Sequence, residues 1–316
     1  MSYHVTATDP SLLPDAFALF RRTYVVARRA HPLLPALTTE YEARLQRRLG
    51  GALGQRGVAV TRDGRLRGYM IASARFDTHG LAAAVVPEFA HAAAAAEFEP
   101  VYGRLYAALA ERLVGEGIHL HMIGHFASAT RLTRLLYELG FGALVAEQLR
   151  DLSDVAAPAG AVVQREERWD AVADLAAEHE AYYRASPMFL LKDGTPATIA
   201  ADLDEHKQAG DALFVHRREG VPQAYLIVGR CPGATMGRLF EGTDTAQVRS
   251  AYTTPAARGR GIGTALLRGA VDWARAGGFE RVLVEHETAN PLAAPFWRRH
   301  FNHYLTYSMR YVDRRL

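Results

Sequence analysis

Apolar residues along this chain fall into short runs whose order repeats once. Val58-Ala59-Val60-Thr61 passes through Arg62-Asp63-Gly64 to Arg67-Gly68-Tyr69-Met70-Ile71-Ala72, which predicts a strand, a tight turn and a second strand. Leu213-Phe214-Val215-His216 passes in the same way through Glu219-Gly220 to Gln223-Ala224-Tyr225-Leu226-Ile227-Val228. Later, Gly117-Ile118-His119-Leu120-His121-Met122-Ile123 matches Gly278-Phe279-Glu280-Arg281-Val282-Leu283-Val284, each between two stretches with helical spacing. Each half is expected to run strand, helix, helix, three strands, helix, strand, helix, strand. The last strands fall at 143–152 and 303–312.

The fold class is therefore mixed α/β, an α+β arrangement on a mixed sheet, built twice. Val155-Ala156-Ala157-Pro158-Ala159-Gly160 supports neither helix nor strand and sets the boundary, giving domains at 1–154 and 161–316. The alanine run at 92–96 is expected to open the helix that continues through 102–113.

Composition narrows the setting. With 316 residues, 49% hydrophobic and 22% charged, the chain can bury two cores. No apolar run approaches the roughly 20 residues of a membrane span, and Met1-Ser2-Tyr3-His4-Val5-Thr6 has no signal-peptide pattern. No membrane role is expected. Cys231 stands alone, which excludes an intramolecular disulfide and suits a cytoplasmic location. The net charge of +3 is scattered, so no nucleic-acid partner is expected. Lysine occurs only at Lys192 and Lys207 while arginine and alanine abound, the signature of a GC-rich and so bacterial source.

The candidate chemistry begins at Arg258-Gly259-Arg260-Gly261-Ile262-Gly263-Thr264, between a strand-like run and the amphipathic stretch 265–276. Glycines let the backbone approach a ligand closely, and amides at a helix start attract anions. A P-loop needs a lysine after its glycine, and none is present. A dinucleotide fingerprint needs Gly-x-Gly-x-x-Gly, but Thr264 or Leu266 falls at the sixth position. The spacing that does fit is Arg-x-x-Gly-x-Gly, at Arg258, Gly261 and Gly263. It resembles the acetyl-CoA motif of the GNAT N-acetyltransferase superfamily.

That resemblance implies two tandem GNAT-type domains, each with a sheet that splays between its fourth and fifth strands. It implies acetyl-CoA as acetyl donor, with the pyrophosphate on the amides of 259–264 and the pantetheine arm along Tyr252, Thr253 and Thr254. Asn290 falls where the family often has a CoA-contacting asparagine, and it also suits a helix N-cap. Only the second half carries the motif. The first reads Glu97-Phe98-Glu99-Pro100 at the corresponding place, where carboxylates repel phosphate and Phe98 obstructs approach. The first domain is expected to be a degenerate copy that does not bind CoA.

Acetyl transfer needs a neutral amine, and an alkylamine of pKa near 10 is only about one part in a thousand neutral at pH 7. A general base is expected at Glu287 or Glu285, with Glu287 preferred for its position nearer the splay and His286 as second choice. Where the family commonly places a tyrosine acid, seven residues after the asparagine, this chain has Trp297, whose indole is no practical acid. Tyr304 or Tyr307 is the expected substitute. His119, His121 and His125 lack accompanying ligands at metal spacing, so no metal is expected. The expected activity is transfer of acetyl from acetyl-CoA to a primary amine of a small molecule. The alternatives are a CoA-binding pseudoenzyme that senses or scaffolds, and an acetyltransferase acting on protein.

Overall fold

The computed structural model describes residues 2–78, 80–192, 194–232 and 238–316. In chain order the first elements are β1 (His4–Ala7), α1 (Leu13–Ala30), α2 (Thr39–Leu53), β2 (Arg56–Arg62), β3 (Arg65–Ala72), β4 (Ala74–Thr78), β5 (Leu81–Val86), β6 (His91–Ala93), α3 (Phe98–Gly115), β7 (Leu120–Phe126), α4 (Thr130–Glu138) and β8 (Gly142–Arg150). There follow β9 (Gln164–Glu166), α5 (Ala173–Tyr182), α6 (Pro196–Gln208), β10 (Ala212–Arg218), β11 (Val221–Arg230), β12 (Thr245–Thr253), α7 (Ile262–Ala276), β13 (Arg281–Glu287), α8 (Ala293–His300) and β14 (Asn302–Tyr311). Both halves are mixed α/β; the second follows the order expected from the sequence, whereas the first carries five strands, β2 to β6, where three are expected.

The hairpin signals act as anticipated. Asp63 and Gly64 between β2 and β3, and Glu219 and Gly220 between β10 and β11, all adopt positive φ. Two consecutive residues of this kind give a turn whose twist matches the flanking strands.

The chain forms two compact units. The second holds Glu147 onward through Asn302, apart from a short piece at Leu239. The first holds the residues up to Ala146 together with His303–Leu316. The linear division at 154 and 161 thus differs from the contact units at the C-terminus. The reason is strand pairing: Leu305 through Tyr311 run antiparallel to Phe126 through Leu120 of β7. The alanine run also departs from expectation. Ala92 pairs with Tyr69 as part of β6, and helix α3 begins only at Phe98. Small buried side chains fit the sheet there, and tertiary pairing overrides the helix propensity of alanine.

In the second unit β9, β10, β11 and β12 are antiparallel, while β12 and β13 are parallel. Alternation along the strands feeds two cores. Leu226, Val248, Val282 and Val284 pack with Leu266, Leu267 and Val271 of α7. Leu213, Val215, Tyr225 and Ile227 pack instead with Leu175 of α5 and Ile199 and Leu203 of α6. Helix α7 exists because Ile262, Ala265, Leu266, Ala270 and Ala274 form one apolar stripe. Leu267 is fully buried. Leu267→Ala is expected to lower stability by about 2–5 kcal/mol, read as a lower urea midpoint at unchanged slope.

Candidate functional site

The parallel ladder between β12 and β13 ends at Val248 opposite Val284. Beyond it β12 continues to Thr253 and β13 to Glu287 without pairing to one another. This is the splay. A bulge helps to create it, for Ile227 pairs with Ser250 and Val228 with Val248, leaving Arg249 unmatched. Such an extra residue bends its strand and sharpens the local twist. A cleft of about 490 Å³ opens at the gap.

One end of the cleft is a cradle for an anion. Gly259 and Gly261 have φ of 74° and 77°, the left-handed region that glycine adopts without strain. Gly261 precedes α7, and no side chain caps that helix. Its intrahelical ladder starts with Ala265 N–H donating to the Gly261 carbonyl, so the first-turn amides remain as donors with the positive end of the helix dipole. A Cβ on Gly261 would come within 2.3 Å of Pro158, and one on Gly263 within 3.3 Å of Phe296. Arg258 lines the cleft; its Nε donates to the Thr253 carbonyl at 3.0 Å, and its guanidinium lies over the Tyr182 and Tyr252 rings. Arg249 and Arg299 also line the cleft.

The other end holds carboxylates. Glu285 and Glu287 share a face of β13 and both line the cleft. Burial pushes the Glu285 carboxyl up to about 7 against the pull of Arg249, with Glu287 adding repulsion and Gln247 donating at 3.4 Å. His286 also lines the cleft, but its ring is bonded to Gln148 at 3.1 Å, and burial lowers its basicity. Opposite β13 stands α5. Burial takes His179 down to about 3, so it is neutral at pH 7, beside Tyr225 and Ser250. The Tyr182 hydroxyl donates to Asn290 Oδ1 at 3.2 Å. Burial, and then Glu287 as hydrogen-bond partner, raise Tyr183 far above an ordinary phenol.

Most of the residues expected from the sequence meet here. Tyr252, Thr253, Arg258, Gly259, Gly261, Ile262, Gly263 and Thr264 line the cleft along β12 and the start of α7. Glu287, Asn290 and Trp297 line it from β13 and α8. Asn290 caps the turn into α8, its Oδ1 accepting from Leu292 and Ala293 N–H at 3.1 and 2.9 Å. Trp297 is mainly core, with edge contacts to Phe296 and Phe301. Thr254 and the exposed Arg260 flank the cleft without lining it.

Tyr304 and Tyr307 require correction. Both are fully buried on β14, which belongs to the first unit, and neither lines the cleft. Tyr307 donates to Glu88 Oε2 at 3.1 Å, and Ala127 N–H donates to the Tyr304 carbonyl. Chain spacing does not reveal that the last strand pairs with β7. His179, Tyr182, Tyr183 and Arg249 also line the cleft, and no motif in the sequence marks them. The one signal is Glu178-His179-Glu180 followed by Tyr182-Tyr183, unusually rich in polar and aromatic groups for six residues at a helix end.

The corresponding place in the first unit is filled. The β5–β7 ladder ends at Val86 opposite Ile123, and His91 then bridges the gap, 2.7 Å from the Gly124 carbonyl and 2.8 Å from the Tyr102 hydroxyl. At the start of α3, Arg131 grips Glu99 with two bonds of 2.7–2.8 Å and lies over Phe98. His121 and His125 are likewise occupied, with Tyr106 and the Ile118 carbonyl, and with Ser308.

Residues 169–302 match the model of the acetyltransferase (GNAT) family. No curated protein matches the chain in sequence. Among solved structures, a GCN5-related N-acetyltransferase from Sphaerobacter thermophilus is similar, with TM-score 0.60, 18% identity, and coverage of 98% of this chain and 95% of that one. The GCN5-related glucosamine N-acetyltransferase region of a fungal multi-domain GH3 beta-N-acetylglucosaminidase gives TM-score 0.59 and 13% identity, covering 98% of this chain and 38% of that protein. A tandem GNAT protein of the clavulanic acid biosynthesis pathway gives TM-score 0.50 and 14% identity, with 98% of both chains covered. At these identities the likeness establishes the fold.

Proposed function

We propose that this chain, which carries an acyltransferase domain of the GNAT family at residues 169–302, moves an acetyl group from acetyl-CoA to a primary amine of a small molecule. One observation carries this reading: a single cleft joins an uncapped helix N-terminus to a buried carboxyl across a gap in a parallel ladder. The amides of Ile262, Gly263 and Thr264, with Arg258, suit a pyrophosphate. The unpaired edge of β12 from Arg249 to Thr253 suits the amide groups of an extended arm, and it leads toward Glu285.

In this reading Glu285, rather than Glu287, is the base. A carboxyl held near 7 is ionised often enough to accept a proton from the ammonium form of the acceptor, yet is far more basic than an exposed glutamate. Glu287, bonded to Tyr183, orients the acceptor side. Trp297 leaves no phenol on α8, and Tyr182, bonded to Asn290, is the hydroxyl placed to protonate the departing thiolate. The absent α8 phenol is also what favours the second reading, a protein that binds CoA as a sensor. The first domain, with His91 and the Glu99–Arg131 pair in the corresponding positions, is proposed to take no CoA.

Calorimetry with CoA tests the binding half of this proposal. One equivalent per chain is expected. Two equivalents would place a second site in the first domain, and none would remove CoA as the donor.

A further inference from the structure

On the face of β10 to β13 that carries Glu285, polar groups on β12 and β13 are joined by one that stands just before β10. Asp211, just before β10, is 4% exposed at its side chain, and its Oδ2 lies 3.9 Å from Arg249 Nε on β12 and 2.8 Å from His206 Nδ1 on α6. Strand β11 lies between β10 and β12, and Gly229 is its residue under this contact. A Cβ on Gly229 would fall 1.6 Å from Asp211 Oδ1. The missing side chain is what lets the carboxylate reach over β11. Arg249 is itself the bulge residue, and it lines the cleft with Glu285. The bulge, the glycine and the paired aspartate are three separate features that place one guanidinium.

We infer that Asp211 and Gly229 position Arg249 beside Glu285, and that this guanidinium sets the protonation of the Glu285 carboxyl in the free enzyme. The inference rests on the reading of Glu285 as base, and it assigns positioning roles to residues at and behind the cleft floor. Electrostatics agree in sign, since Arg249 pulls down a carboxyl that burial and Glu287 push up. The other charged groups nearby do not substitute for it. On β13 Glu287 acts in the opposite sense. On α5 His179 is held neutral by burial, and Glu180 interacts with Lys192, Asp202 of α6 and Glu287. On α6 His206 is spent on Asp211, with its ring stacked on Trp169.

The test compares pH profiles of kcat/KM with a direct titration of Glu285 by carbon NMR of the glutamate carboxyls, assigned by the signal lost in Glu285→Gln. Arg249→Met is expected to move both the acidic limb and the Glu285 titration upward by about one pH unit, so that kcat/KM falls about tenfold below the limb and recovers at alkaline pH. Arg249→Lys should restore most of the limb. Gly229→Ala, which touches no part of the cleft, should move it in the same direction by displacing Asp211. Thermal melts identify any variant that fails to fold; the two Arg249 variants decide the role of the guanidinium, and an unmoved limb in a folded Gly229→Ala removes the positioning role of Asp211 and Gly229. If the limb survives in Glu285→Gln, the base assignment fails, while the carboxyl titration still reads the role of Arg249. An unmoved Glu285 titration in Arg249→Met overturns the inference.

Discussion

Glu285→Gln is expected to lower kcat/KM for the amine by about 10²- to 10⁴-fold while CoA affinity stays close to wild type. The amide keeps the shape of the side chain but cannot accept the proton that an alkylammonium must lose. In the wild-type enzyme the rate should climb with pH through about 7, where the buried carboxyl ionises, and this limb should be absent in the variant. Glu287→Gln should have the smaller effect on turnover. Stability provides a second readout with a definite sign. The folded carboxyl titrates above an unfolded glutamate, so the folded state binds more protons and stability declines as pH rises from the unfolded value to about 7. At pH 8 Glu285→Gln should therefore melt at a higher temperature than wild type, and at pH 4 the gap should close. Equal turnover in variant and wild type would remove Glu285 as the base.

Gly261→Glu is expected to weaken CoA binding by about 100-fold or more, equivalent to roughly 2.7 kcal/mol. Three effects add. The backbone at 77° is strained for any residue with a Cβ, a Cβ there meets Pro158 at 2.3 Å, and the new carboxylate repels a phosphate at the helix N-terminus. Gly259→Ala separates these terms. Gly259 shares the positive φ but has open space around its Cβ position, so it should lose less affinity. Calorimetry of CoA against the two variants reads the order directly, and undiminished binding to Gly261→Glu would place the donor elsewhere.

The cradle was legible in the sequence because its chemistry is local. Glycine at fixed spacing dictates backbone geometry whatever surrounds it, and Gly259, Gly261 and Gly263 sit where the spacing requires. The two Asp-Gly and Glu-Gly hairpins are legible for the same reason. Tertiary choices were not. Whether Glu285 or Glu287 has the buried carboxyl depends on where the β12–β13 ladder stops, which no pattern along β13 encodes. The bulge at Arg249 depends on register with β11, and the membership of Tyr304 depends on the partner that β14 selects. Ala92 shows the same limit, since burial against Tyr69 decided its conformation against its propensity.

Acetyl transfer is measured by recovering the acetyl group on the acceptor. Acetyl-CoA carrying an isotopically labelled acetyl group is incubated with the protein and a panel of small primary amines, and the acceptors are analysed by mass spectrometry. Labelled acetyl is expected on the nitrogen of at least one amine, in step with release of CoA thiol and lost in Glu285→Gln. Binding of CoA with no labelled amine across the panel would contradict acetyl transfer and favour a sensor.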